Sequence, residues 1–275
     1  GFVDMTAKKL KGAKIYLDFP SVGATENIIM AAVLADGETI IENAAAEPEI
    51  VDLTDFLTKQ GAIIEGSGSD TIRITGVDEL SPTIHKVISD RIEAGTFLTA
   101  FAMTRGQGVL RNANFEHLKP VAAKLMEMGV EISEQADGSI AVNGDRELKT
   151  TDIKTLPFPG FPTDMQAPFT VLLSTIDGTG IIVETVFENR FLHVGELNRM
   201  GADIRIDGRT SVIEGAKQLS GTKVNAFDLR GGAALVLAGM IAKGDTVISG
   251  TEHIKRGYEK FIPKLEKIGA KVYLK

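Results

Sequence analysis

Four stretches of this 275-residue chain end alike: FLTKQGAII, KLMEMGVEI, ELNRMGADI and KLEKIGAKV. Their glycines, Gly61, Gly129, Gly201 and Gly269, lie 68, 72 and 68 residues apart, a period that suits one supersecondary unit. Each ending predicts an amphipathic helix closed by glycine, which takes the left-handed backbone that stops a helix, and then an alternating strand. Upstream in every unit lies a more apolar stretch: SVGATENIIMAAVLADGETII, DRIEAGTFLTAFAMTRGQGVL, TDMQAPFTVLLSTIDGTGIIV and DLRGGAALVLAGMIAKGDTVI. With Ala and Gly on most faces, these predict helices buried on all sides. The unit is therefore strand, buried helix, strand, helix, strand pair, and the class is α/β with helices inside and sheets outside.

Breaks in the repeat place the boundaries. Ser81 and Pro82 interrupt the pattern after the first unit, which predicts one domain over residues 1–85 and a second, of three units, over residues 86–275. The second unit is expected to begin with a strand leading to Asp90. The polar stretch from Asn143 to Thr155 reads as a connection inside the second domain.

Composition removes several classes of function. There is no cysteine, hence no disulfide, no thiolate metal site and no cysteine nucleophile in this chain. The net charge of −7 argues against bulk nucleic-acid binding, which rests on Lys and Arg neutralising phosphates. No apolar run is long enough for a bilayer, and the first residues carry neither an apolar core nor a small-residue cleavage site, so the expectation is a cytoplasmic protein. GSGSD at Gly66 lies between two strand-like runs and predicts a hairpin turn rather than a nucleotide loop. DLRGG, a single copy before an apolar run, predicts a helix start.

The starts of the apolar helices differ in one unit. Ser21, Asp90 and Asp228 each stand 16 residues before a turn glycine, and all three are good N-caps because they accept free first-turn N–H groups. Asp164 stands only 14 residues before Gly178. In FPTDMQAPF the cap falls instead to Thr163, whose spacing to Gln166 fits a capping box. Asp164 is then either a first-turn acid favoured by the helix dipole or a working carboxylate. Pro168, close to the helix start, lacks one backbone donor.

The second helices add a contrast in charge. AEPEIVD puts Glu47, Pro48 and Glu49 in a first turn, as dipole and geometry favour. FENRFLHV and HIKRGYEK instead place Arg190, Lys255 and Arg256 at expected helix starts, and Arg230 follows the same rule in DLRGG. Cations there are either solvated or offset by an anion, and three such arginines beside free N–H groups suggest a phosphate or carboxylate site.

The combination SVGATENI, AEPEIVD, DRIEAGT, FPTDMQAPF, ETVFENRF, DLRGG and HIKRGYEK resembles the UDP-N-acetylglucosamine enolpyruvyl transferases (1-carboxyvinyltransferases) of peptidoglycan synthesis over essentially the whole chain. The repeat alone would also suit enolpyruvylshikimate-phosphate synthases or RNA terminal phosphate cyclases. The resemblance implies a pair of inside-out α/β domains of three units each. It also implies addition of a sugar 3-hydroxyl to C2 of phosphoenolpyruvate, protonation of C3, and loss of phosphate, without metal or organic cofactor.

It assigns Asp164 as general base, Arg190 and Arg230 to the enolpyruvyl carboxylate, and Arg256 to its phosphate. Ser21, Val22 and Gly23 would line the diphosphate, while Thr163 and Val186 would contact the nucleotide-sugar. Phe19 stands where relatives carry lysine and is left out of the site. Six units are expected and four are present, which implies a C-terminal two-thirds lacking the N-terminal lysine, the acid-bearing loop and a strand donated to the second domain. Such a piece is expected to be inactive alone, and its first unit, one of three, is expected to leave the helix around Ile28 to Leu34 without neighbours that would cover it. A shikimate-pathway homologue would need basic residues in place of the SVG loop, and a catalytically silent paralogue would bind the sugar without turnover.

Overall fold

A computed structural model describes residue 2 and residues 4–274; Gly1, Val3 and Lys275 lie outside the described residues. The chain divides into two compact units, Gly1–Ile88 with Pro157–Pro159, and Ser89–Leu156 with Gly160–Lys275.

The first unit runs β1 (Lys14–Tyr16), α1 (Val22–Ala32), β2 (Glu38–Glu42), α2 (Pro48–Lys59), β3 (Ile63–Glu65) and β4 (Thr71–Thr75). Its sheet has the order β1-β2-β4-β3, with β1 parallel to β2 and the other pairs antiparallel. Gly66 and Gly68, both at positive φ, turn β3 into β4 as the hairpin reading requires. Ser21 caps α1 by accepting the Ala24 N–H. The core gathers Ile29, Ile41, Ile50, Ile72 and Ile74.

Composition alone would bury the central helix of this unit on all sides, and that fails, whereas the lack of covering neighbours expected of a single unit is met. α1 packs on α2, β2 and β4 only along one side, and its buried residues are Thr25, Ile29 and Ala32. Met30, and Leu34 just beyond the helix, stay about half exposed, at 49% and 50%. The small, apolar composition of α1 matches that of the other central helices, but no second central helix covers it among the described residues of this unit.

The second unit contains α3 (Arg91–Met103), β5 (Gln107–Leu110), α4 (Phe115–Glu127), β6 (Glu131–Glu134) and β7 (Ile140–Asn143). Next come β8 (Ile153–Lys154), a 3-10 turn (Thr163–Met165), α5 (Gln166–Ser174), β9 (Thr179–Val183), α6 (Leu192–Arg199), β10 (Asp203–Asp207) and β11 (Thr210–Glu214). The last repeat gives β12 (Lys223–Asn225), α7 (Leu229–Ile241), β13 (Val247–Ser249), α8 (Glu252–Lys255) and α9 (Phe261–Lys267). Here the central helices are buried as composition predicts. Every residue of α5 is buried, and α5 packs against both α3 and α7. The sheets are β5-β7-β6, β8-β9-β11-β10 and the pair β12-β13.

The parallel pairings β1 with β2, β8 with β9 and β12 with β13 recur, whereas β5 pairs only with β7 among the described residues. The strand expected before Asp90 is absent, since residues 81–90 form no regular element. A strand there would have to pair along an edge to satisfy its backbone groups, and β5 bonds only to β7 among the described residues. The stretch after Gly269 likewise forms no strand through residue 274. No helix is long and apolar enough to cross a membrane among the described residues.

Candidate active site

The second unit concentrates charge at the start of its central helices. FPTDMQ does not enter α5 through a capping box. Thr163–Met165 form a 3-10 turn with no side-chain cap, and α5 begins at Gln166. The turn takes up Asp164 and frees Thr163 for other partners. Pro168 then falls in the first turn of α5, where a missing N–H costs little because first-turn donors have no intrahelical acceptor.

Asp164 is the meeting point of two arginines. Its Oδ1 accepts from Arg190 Nη2 at 2.5 Å, and its Oδ2 accepts from Arg230 Nε at 3.0 Å and Nη2 at 2.8 Å. Asp164 is 31% exposed, Arg190 17% and Arg230 12%. Burial alone would push the Asp164 carboxyl up, yet the attraction of Arg230 and Arg190 and their hydrogen bonds hold it below the ordinary 3.8. The carboxylate is therefore ionised at neutral pH.

Each arginine is held from a second side. Arg230 stands in the first turn of α7, whose cap Asp228 accepts the Gly231 N–H. Its guanidinium carbon lies 5.3 Å from the centre of the Tyr258 ring, and the Tyr258 hydroxyl bonds the Thr96 hydroxyl at 2.9 Å. Burial works against the Arg230 charge, but Asp164 and then Tyr258 more than restore it. Gly231 and Gly232 of DLRGG permit close packing here: a Cβ on Gly231 would come within 3.1 Å of the His193 Cβ, and one on Gly232 within 2.8 Å of Ile254. Arg230 Nη1 is buried and has no hydrogen-bond partner among the described residues.

Arg190 precedes α6 rather than opening it. Its Nη1 donates to Thr163 Oγ1 at 2.7 Å, and its guanidinium carbon sits 4.6 Å from the centre of the Phe187 ring. Thr163 in turn donates to Glu184 Oε2 at 2.8 Å. Glu184 was not legible as a site residue. It lies just past β9, is 1% exposed, and its Oε1 accepts from the Thr155 hydroxyl and from the N–H groups of Val186 and Phe187. Those partners are remote in sequence, apart from the two backbone groups, and no local pattern announces them.

Arg256 does not open a helix: α8 ends at Lys255 and Arg256 is its C-cap, so positive charge there agrees with the dipole and the argument from misplaced charge fails for both residues. Gly257, packed on Leu229, stands in the break between α8 and α9, and Arg256 is exposed. In the first unit, Ser21, Val22 and Gly23 form the exposed start of α1, with nothing within 4 Å of the place a Gly23 Cβ would take. No group of side chains suited to a metal ion exists among the described residues.

Residues 2–265 match the family described as EPSP synthase (3-phosphoshikimate 1-carboxyvinyltransferase). A protein named UDP-N-acetylglucosamine 1-carboxyvinyltransferase 1, from Caldanaerobacter subterraneus subsp. tengcongensis, is 59% identical over 275 residues, all of this chain and 66% of its own length. UDP-N-acetylglucosamine 1-carboxyvinyltransferase 2 from Clostridium tetani is 57% identical over 273 residues, 99% of this chain and 65% of its own. Among solved structures, the enolpyruvyl transferase NikO from Streptomyces tendae matches with a TM-score of 0.86 at 25% identity, covering 96% of this chain and 66% of that one. EPSP synthase from Acinetobacter baumannii shares the fold, with a TM-score of 0.74 at 22% identity over 97% of this chain and 64% of its own. The chain thus spans about two-thirds of the length of the curated relatives it matches.

Proposed function

The chain belongs to the EPSP synthase family of enolpyruvyl transferases, and from that premise we propose that its full-length protein transfers the enolpyruvyl group of phosphoenolpyruvate to the 3-hydroxyl of UDP-N-acetylglucosamine, in peptidoglycan synthesis. The acceptor is taken from the names of the relatives at 57–59% identity. The observation that carries the chemistry is Arg230 Nη1, a buried donor without an acceptor beside an ionised carboxylate. A buried, unsatisfied guanidinium nitrogen is costly, and an anionic oxygen of the donor would satisfy it.

In this reading Arg190 and Arg230 hold the carboxylate of phosphoenolpyruvate, and Arg256 meets its phosphate. Asp164 takes the proton of the attacking hydroxyl as that oxygen bonds to C2; a general acid outside this chain protonates C3, and the tetrahedral adduct then eliminates phosphate as C3 gives up a proton, which restores the double bond. With both arginines on it, Asp164 is a poor base. A substrate carboxylate that draws the arginines away would raise its basicity as the donor arrives. Fixed cations suit the charge-rich intermediate. Ser21, Val22 and Gly23 line the diphosphate, and Thr163 and Val186 contact the nucleotide-sugar.

Two measurements test this. The full-length protein is expected to release phosphate from phosphoenolpyruvate with UDP-N-acetylglucosamine and not with shikimate 3-phosphate; the reverse preference overturns the acceptor. Arg256→Ala is expected to raise the KM of phosphoenolpyruvate about tenfold, on the scale of a hydrogen bond to a charged group, with a smaller change for the nucleotide-sugar. Equal changes would leave Arg256 a surface charge.

A further inference from the structure

We propose that Glu184 is a positioning residue that fixes Arg190 for the anionic donor, an inference that rests on the proposed function. One carboxylate reaches Arg190 by two routes. Through Oε2 it accepts the only hydroxyl proton of Thr163, at 2.8 Å, so Thr163 faces Arg190 with lone pairs and accepts Nη1 at 2.7 Å. Through Oε1 it accepts the N–H groups of Val186 and Phe187, at 2.8 and 3.0 Å. That backbone turn sets the Phe187 ring 4.6 Å from the Arg190 guanidinium carbon.

The polarity of this chain is forced. The Glu184 carboxylate oxygens serve as acceptors, so their neighbours donate to them. Thr155, Thr163, Val186 and Phe187 all do. Arg190 is left with Nη1 on Thr163 and Nη2 on Asp164, and two bonds from one planar fork fix its orientation. When a donor carboxylate displaces Asp164, the Thr163 bond and the Phe187 ring still hold the guanidinium in place.

Glu184→Gln separates the two routes. The amide oxygen can keep the three donors at Oε1, while the amide nitrogen replaces Oε2 and presents hydrogens to Thr163. The Thr163 proton then has no acceptor, and the amide competes with Arg190 for the hydroxyl lone pairs. In the full-length protein, Glu184→Gln is expected to raise the KM of phosphoenolpyruvate about tenfold or more, as loss of a bond to a charged group does. In an Arg190→Lys background the same change should add less than about twofold, because the group it acts through is gone.

Effects that multiply in the double variant would overturn the inference. If Glu184→Gln does not fold, Thr163→Val cuts the same link, and an unchanged KM for phosphoenolpyruvate there overturns it equally. Should the wild-type protein release no phosphate, the functional reading fails but positioning is still read from Asp164 by carbon-13 NMR. A looser Arg190 raises the Asp164 carboxyl in Glu184→Gln, and an unshifted titration refutes the link.

Discussion

Replacing Asp164 by alanine in the full-length protein is expected to lower phosphate release about 10²- to 10⁴-fold, the range for loss of a general base. The effect on the fold should be separable from it, for a reason visible in the site. Asp164 compensates two mostly buried arginines, and removing one partner of such a set leaves charge unpaired. The variant should therefore melt lower than wild type in dilute buffer. Added sulfate or phosphate, which can take the vacated place between Arg190 and Arg230, should raise its melting temperature more than that of wild type. Turnover should not return, since a sulfate cannot take the hydroxyl proton. Near-normal turnover would remove Asp164 from the base role, and an anion response no greater than that of wild type would mean that the arginines are not free to hold a donor.

The parts of this site that were legible in the sequence are those governed by local rules. Ser21, Asp90 and Asp228 cap their helices as their spacing predicts, and Gly61, Gly129, Gly201 and Gly269 end theirs at positive φ. The oddity of Asp164 was also legible, as a carboxylate out of register with the caps. Its explanation was not. A 3-10 turn replaces the expected cap because Thr163 spends its hydroxyl on Glu184, 21 residues away, and no spacing rule reaches that far. Arg256 was misplaced for the opposite reason: the local pattern of HIKRGYEK looks helical throughout, but tight packing of Gly257 on Leu229 accompanies a break that turns a helix start into a helix end. The partial exposure of α1 was legible from the count of units and not from composition, which reports what a helix can pack against, not whether a neighbour is there.

A second large effect is expected in acid and comes from a residue outside the chemistry. His193, in the first turn of α6, is 2% exposed, and its Nε2 has no hydrogen-bond partner among the described residues. Burial, aided by the nearby Arg190 charge and opposed by Asp228, lowers its pKa from 6.5 to about 4. In the unfolded chain the imidazole binds a proton near 6.5, so as pH falls the unfolded state is protonated first. The stability that His193 contributes is complete above 6.5, is lost between 6.5 and about 4, and changes no further below; over that interval the loss is roughly 3 kcal/mol. Asp164 acts in a lower window, because its depressed carboxyl contributes stability above the ordinary 3.8 that is lost as pH falls through the folded value. His193→Leu removes the first window and leaves the second. Urea unfolding at pH 7.5 and at pH 4.5 should then show a smaller acid loss in the variant than in wild type, by most of that roughly 3 kcal/mol. Parallel losses in the two proteins would mean that the buried imidazole relaxes to solvent before it is protonated, and that acid sensitivity resides in the carboxylates alone.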